Sequence, residues 1–178
     1  MPPNAGTVVD EFRARAEEAR SLVHELGGWS DVATLALGLA RSGRIAVAPS
    51  LAGAHPGLME RLGGRAELPD ADSPAASVAD ADVGIVRGVL AVAETGSVLL
   101  VEEALADRSV SMLSRALIQV VDRASVVASL ESVAERLVST GPPCYASLTT
   151  GPSRTADIER SLTIGVQGPN EVHVVILG

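Results

Sequence analysis

Apolar positions Val8, Phe12, Ala16, Ala19, Leu22, Val23 and Leu26 recur at helical spacing, with Thr7 placed to cap and Gly27-Gly28 to stop. This predicts an amphipathic helix over 8–26. A second helix is predicted over 30–40, and the apolar run Arg44-Ile45-Ala46-Val47-Ala48-Pro49 reads as a buried strand. Residues 56–62 follow a helical pattern that Gly63-Gly64 ends, and 65–68 form a short strand. The acidic, proline-punctuated stretch 69–76 reads as an exposed loop within one domain. The clearest strands come next, over 83–86, 89–93 and 97–101, the last two joined by Glu94-Thr95-Gly96 as a hairpin. A strand over 116–121, a helix over 129–138 and a rigid turn at Gly141-Pro142-Pro143 follow. Residues 144–148 read as a strand that leads into a polar loop and helix start over 149–159, and 172–177 as the last strand. Strands alternating with helices predict one three-layer α/β/α domain with a mostly parallel sheet. Such sheets hold ligands outside the carboxyl ends of their strands.

Composition narrows the chemistry. The chain has 178 residues, 47% hydrophobic and 2% aromatic, so its core rests on small aliphatic side chains between closely approaching elements. All fourteen basic residues are Arg against 22 acidic ones, a net charge of −8 that disfavours nucleic acid and anionic membrane as partners. With no Lys, Schiff-base chemistry and a Walker-type phosphate lysine are excluded. One cysteine, Cys144, supplies neither a disulfide nor the ligands of a cluster, and it reads as an inert buried thiol. His24, His55 and His173 show no metal-ligand spacing, so no metal site is expected. His24 is expected on the surface of the first helix and His173 as a structural residue of the last strand. No run of apolar residues approaches the length of a membrane span, and the chain is expected in the cytoplasm.

Three polar clusters are candidates for chemistry. In the first, Glu94, Thr95, Gly96 and Ser97 put a carboxylate and two hydroxyls at a turn between apolar strands. Glu94 is the best candidate for nucleophile or base, set against a plain hairpin turn with a solvated glutamate. In the second, Thr150, Gly151, Ser153, Arg154, Thr155 and Asp157 combine hydroxyls, a guanidinium fork and a helix start suited to a carboxylate or phosphate. The plainer alternative is a capped helix whose Asp157 and Glu159 complement its dipole. In the third, Gln167 and Gly168 occupy a glycine-rich turn before the last strand, where Gln167 either orients a ligand or satisfies the loop backbone. The first two clusters are expected to share a pocket.

Together the strings Ala93-Glu94-Thr95-Gly96-Ser97, Thr150-Gly151-Pro152-Ser153-Arg154-Thr155-Ala156-Asp157-Ile158-Glu159 and Gly165-Val166-Gln167-Gly168-Pro169 resemble the LUD domain of lactate-utilisation protein C. The resemblance covers 83–178 and implies a single LUD domain over 1–178, with 1–7 flexible. It implies a fold like that of glucosamine-phosphate isomerase, ribose-phosphate isomerase and the CoA-transferases. It also implies a cluster-free component of a system oxidising L-lactate to pyruvate, acting with partner proteins that carry the iron–sulfur clusters. Gln167 stands where the family's turn has histidine, which removes a titratable group while leaving a hydrogen-bonding one. The alternatives on the same fold are a stand-alone enzyme acting on a sugar phosphate, acyl-CoA or folate-like compound, or a ligand-binding module without turnover.

Overall fold

The computed structural model describes residues 5–141, 143–156, 162–164 and 168–178. The first half of the chain runs α1 (Ala5–Glu18), β1 (Leu22–Leu26), α2 (Trp29–Ala40), β2 (Ile45–Val47), α3 (Pro49–Ala54), α4 (Pro56–Leu62), β3 (Ala66–Glu67), α5 (Pro74–Val78) and β4 (Val83–Arg87). The second half runs β5 (Leu90–Val92), β6 (Ser97–Val101), α6 (Leu105–Leu113), β7 (Ala116–Asp122), β8 (Val126–Val127), α7 (Leu130–Thr140), β9 (Ala146–Thr149), β10 (Arg154–Ala156), β11 (Leu162–Ile164) and β12 (Glu171–Leu177).

Six strands in the order β1-β12-β7-β4-β2-β3 form one sheet, and every pairing in it is parallel. Its central strands are apolar on both faces, as a sheet covered on both sides requires: Ile85, Ile118, Val120 and Val175 are fully buried. Side-chain alternation fixes what covers each face. A Cβ on Gly84 would strike Ser114 and the Val110 carbonyl, and one on Gly88 would strike Val121 and Val98. Gly84 of β4 and Gly88 directly after it therefore face α6 and the second sheet, β8-β5-β6-β9. The odd position Arg87 reaches Trp29 of α2 and His55 between α3 and α4 on the opposite face. The result is the three-layer α/β fold expected, with the hairpin β5–β6 antiparallel.

Four expectations need correction. Helix α1 ends at Glu18, not near Leu26. There Arg20 takes a left-handed φ of 69°, Ser21 N–H reaches the Ala16 carbonyl at 2.9 Å and Arg20 N–H that of Glu17 at 2.8 Å. This double bond pattern is a Schellman stop built without glycine, and it releases 22–26 as strand β1 on β12. His24 accordingly sits in a strand, its Nε2 3.0 Å from His173 Nδ1. Residues 154–156 form strand β10, paired antiparallel with β11, where a helix start was expected. Cys144 is exposed, not buried. Helix α6 has no counterpart among the predicted elements.

Candidate functional site

A cavity of about 610 Å³ opens where the end of α1, the end of α6, strand β9 and the following loop meet. Its walls include Ala19, Ser111, Tyr145, Ser147, Thr149, Thr150, Gly151, Ser153 and Gly168. Strand alternation aims Ser147 and Thr149 inward while Ala146 and Leu148 are exposed. Gly151 has φ +68°, and a Cβ there would lie 2.1 Å from the Ala19 carbonyl oxygen. Only glycine lets this loop turn and approach the end of α1 so closely.

Two wall hydroxyls are backed by buried polar groups. Ser111 Oγ donates to Glu102 Oε2 at 2.9 Å, and Gln119 Nε2 donates to Thr149 Oγ1 at 2.5 Å. Glu102 is 4% exposed and Gln119 fully buried, and neither the other carboxyl oxygen of Glu102, Oε1, nor the amide oxygen of Gln119 has a hydrogen-bond partner among the described residues. Glu102 is fixed in place by its neighbours: its N–H reaches the Tyr145 carbonyl at 3.3 Å, and Arg108 donates to its carbonyl at 3.2 Å while lying over the Tyr145 ring. Desolvation pushes the Glu102 carboxyl up to about 7, with Asp107 acting in the same direction and Ser111 and Arg108 against it. A carboxyl that exchanges its proton near neutrality, joined by a serine hydroxyl to a cavity wall, is equipped for proton transfer. The lining hydroxyls supply donors and acceptors for a polar small molecule.

The structure gathers some of the predicted residues and separates others. Thr150, Gly151, Ser153 and Gly168 line the cavity. Ser97 is buried behind it, its Oγ 2.5 Å from Thr150 Oγ1, so the first two motif clusters do touch. Thr95 Oγ1 is buried without a hydrogen-bond partner among the described residues. Gly96, at φ +66°, packs on α1, where a Cβ would meet Ala16 N at 2.4 Å. Glu94 points elsewhere: it is exposed, and its Oε2 accepts the Leu130 N–H at 3.0 Å, capping α7. Arg154 and Thr155 are placed by backbone in β10, and Asp157 and Gln167 lie outside the described residues. Among the described residues no group of three or more His, Cys, Asp or Glu is arranged to hold a metal ion.

Glu102, Ser111, Gln119, Tyr145 and Ser147 were not singled out in the sequence. Gln119 carried a readable signal, as the one polar residue inside the apolar run 116–121. Glu102 had one too: it directly follows the strongest strand, where a carboxylate is either solvated or deliberately buried.

A parallel sheet with a second sheet on one face and a hydroxyl-lined cavity at one end defines a three-layer α/β domain. The chain belongs to the LUD domain family, which matches residues 10–177. Its fold is that of a DUF162 family protein from Deinococcus radiodurans, with a TM-score of 0.70 at 21% identity over 99% of this chain and all of that one. Curated relatives are lactate utilization protein C of Shouchella clausii, 36% identical over 101 residues, and of Bacillus subtilis, 33% identical over 103 residues. These alignments cover 54% of this chain and 44% and 42% of the relatives, so the matched stretch spans less than half the length of either.

Proposed function

We propose that this protein serves lactate utilisation as a component without a redox cofactor of its own. It acts beside partner proteins that carry iron–sulfur clusters, in the cytoplasm, and its cavity takes a small polar ligand bearing a carboxylate or phosphate. The observation that carries the reading is family membership joined to curated relatives that bear the name lactate utilization protein C. The cofactor-poor composition agrees with it: one cysteine and no lysine leave electron transfer to another carrier. Deleting the gene should abolish growth on L-lactate, and the tagged protein should recover iron–sulfur proteins from lactate-grown cells. Normal growth of the deletion strain on L-lactate, in the absence of a paralogue, overturns the role.

One observation favours a second reading, a stand-alone acid–base enzyme on the same fold. Glu102 holds a proton near neutrality beside the cavity, coupled to it by Ser111. Turnover of a sugar phosphate, acyl-CoA or folate-like compound by the isolated chain, lost in Glu102→Gln, would shift the assignment to this reading.

A further inference from the structure

A second polar cavity, of about 370 Å³, lies at the opposite end of the parallel strands and is untouched by the family motifs. Parallel strands deliver all their carboxyl ends to one edge. Here β4 ends in Arg87 and β7 in Asp122, which form an ion pair. Arg87 is held further: its Nη1 donates to His55 Nε2 at 3.4 Å, and its guanidinium lies 5.7 Å from the centre of the Trp29 ring, which packs at a 31° tilt on His55 with ring centres 4.1 Å apart. Arg87 is thus committed, and Asp122 keeps Oδ1 free of any hydrogen bond among the described residues. Across the cavity stands Arg136 of α7, whose guanidinium makes no hydrogen bond or ion pair among the described residues, next to Ser125, whose hydroxyl also has none.

Counting the charged walls, Arg87 and Asp122 cancel and Arg136 leaves one positive charge. The cavity therefore suits a ligand with one negative charge. A dianion would set its second charge against Asp122. The free Asp122 oxygen asks for a hydrogen-bond donor on the same small ligand. We infer that this edge is a binding site for a small hydroxy-carboxylate, its carboxylate on Arg136 and Ser125 and its hydroxyl donating to Asp122. The inference stands on this cavity and not on the lactate-utilisation role, so a failed growth test and a failed titration are read separately.

Trp29 is the single tryptophan of the chain and touches the Arg87 cluster, so its emission reports on the site. The full chain is titrated at fixed ionic strength with L-lactate as the simplest hydroxy-carboxylate, with propionate and with inorganic phosphate, and calorimetry checks each result. L-lactate should give a saturable change and bind more tightly than either other probe. Arg136→Gln should weaken L-lactate binding at least about tenfold with an unchanged circular dichroism spectrum. No saturable L-lactate signal by either method, or equal affinity in Arg136→Gln, overturns the site. Propionate binding as tightly as L-lactate overturns the role of Asp122, and phosphate binding as tightly or more tightly overturns the charge count.

Discussion

Replacing Glu102 by Gln isolates the free energy stored in a buried carboxyl behind the larger cavity. The residue is 4% exposed, and Oε2 is bonded to Ser111 while Oε1 is unpartnered. Burial lifts its pKa from 4.5 to about 7. Because the folded value lies above the unfolded one, the folded chain keeps a proton that the unfolded chain has released. The stability this supplies is complete below pH 4.5 and is lost as pH rises through about 7. At about 1.4 kcal/mol per pKa unit the full interval corresponds to about 3 kcal/mol, and discounting for solvent entering from the cavity leaves about 2 kcal/mol. Glutamine matches the neutral carboxyl in shape and keeps an oxygen for Ser111, so it removes the pH-dependent part alone. Urea unfolding of both proteins across this interval gives the difference in stability as a function of pH, in which other titrating groups cancel. The variant should equal wild type near pH 4.5 and exceed it by about 2 kcal/mol near pH 8. A flat difference would mean that the carboxyl is solvated. A difference that falls with rising pH would mean that Ser111 and Arg108 favour the ionised form.

Burial, followed by Arg13 for His24 and by His24 for His173, holds both imidazoles below 6.5, with Glu171 opposing at His173. Their stability contribution is full above pH 6.5 and is lost as pH falls toward the folded values, and NMR titration midpoints below 6.5 for the pair are expected. Gly96→Ala should lose at least about 3 kcal/mol, since it adds a backbone collision to the left-handed penalty. Gly63→Ala, at φ 60° and ψ −147° with nothing within 4 Å, carries backbone strain alone and should lose about 2 kcal/mol, and a loss equal to that of Gly96→Ala by urea unfolding would refute the packing argument. Glu94→Ala should lose about 1 kcal/mol as a helix cap, whereas Glu94→Gln, which keeps an acceptor for Leu130 N–H, should remain near wild type in thermal unfolding.

The parallel strands other than β1 were legible because apolar runs bounded by glycine, proline and polar turns leave few other readings, and the hairpin at 94–96 followed from the same signal. Two failures have distinct physical causes. The first helix was drawn too long because Leu22, Val23 and Leu26 satisfy helical spacing as well as a strand, and the stop is made by Arg20 in a conformation glycine usually takes. Helix α6 escaped because its pattern is inverted. Asp107, Ser109 and Ser111 are buried with Val110, while Leu105, Met112 and Leu113 are exposed. Hydrophobic periodicity finds a helix by its apolar face, and this one turns polar groups inward to bind Ser50 and Glu102.

That inversion separates what marks the family from the polar groups behind the cavity wall. The motif glycines Gly96 and Gly151 are both explained by contact with α1, at the backbone of Ala16 and the carbonyl of Ala19. Ala19 is also a wall of the larger cavity, so the two glycine turns hold the end of α1 in position beside the hydroxyls of β9. Steric demand of this kind admits one residue type and yields a specific sequence string. Glu102 and Gln119, in contrast, act through groups behind the wall, and each lies in a setting where only the packing around it distinguishes a buried polar side chain from a solvated one. The family string thus encodes how the cavity is closed, while the polar signals at Glu102 and Gln119 leave open whether each side chain is buried until the layers are assembled.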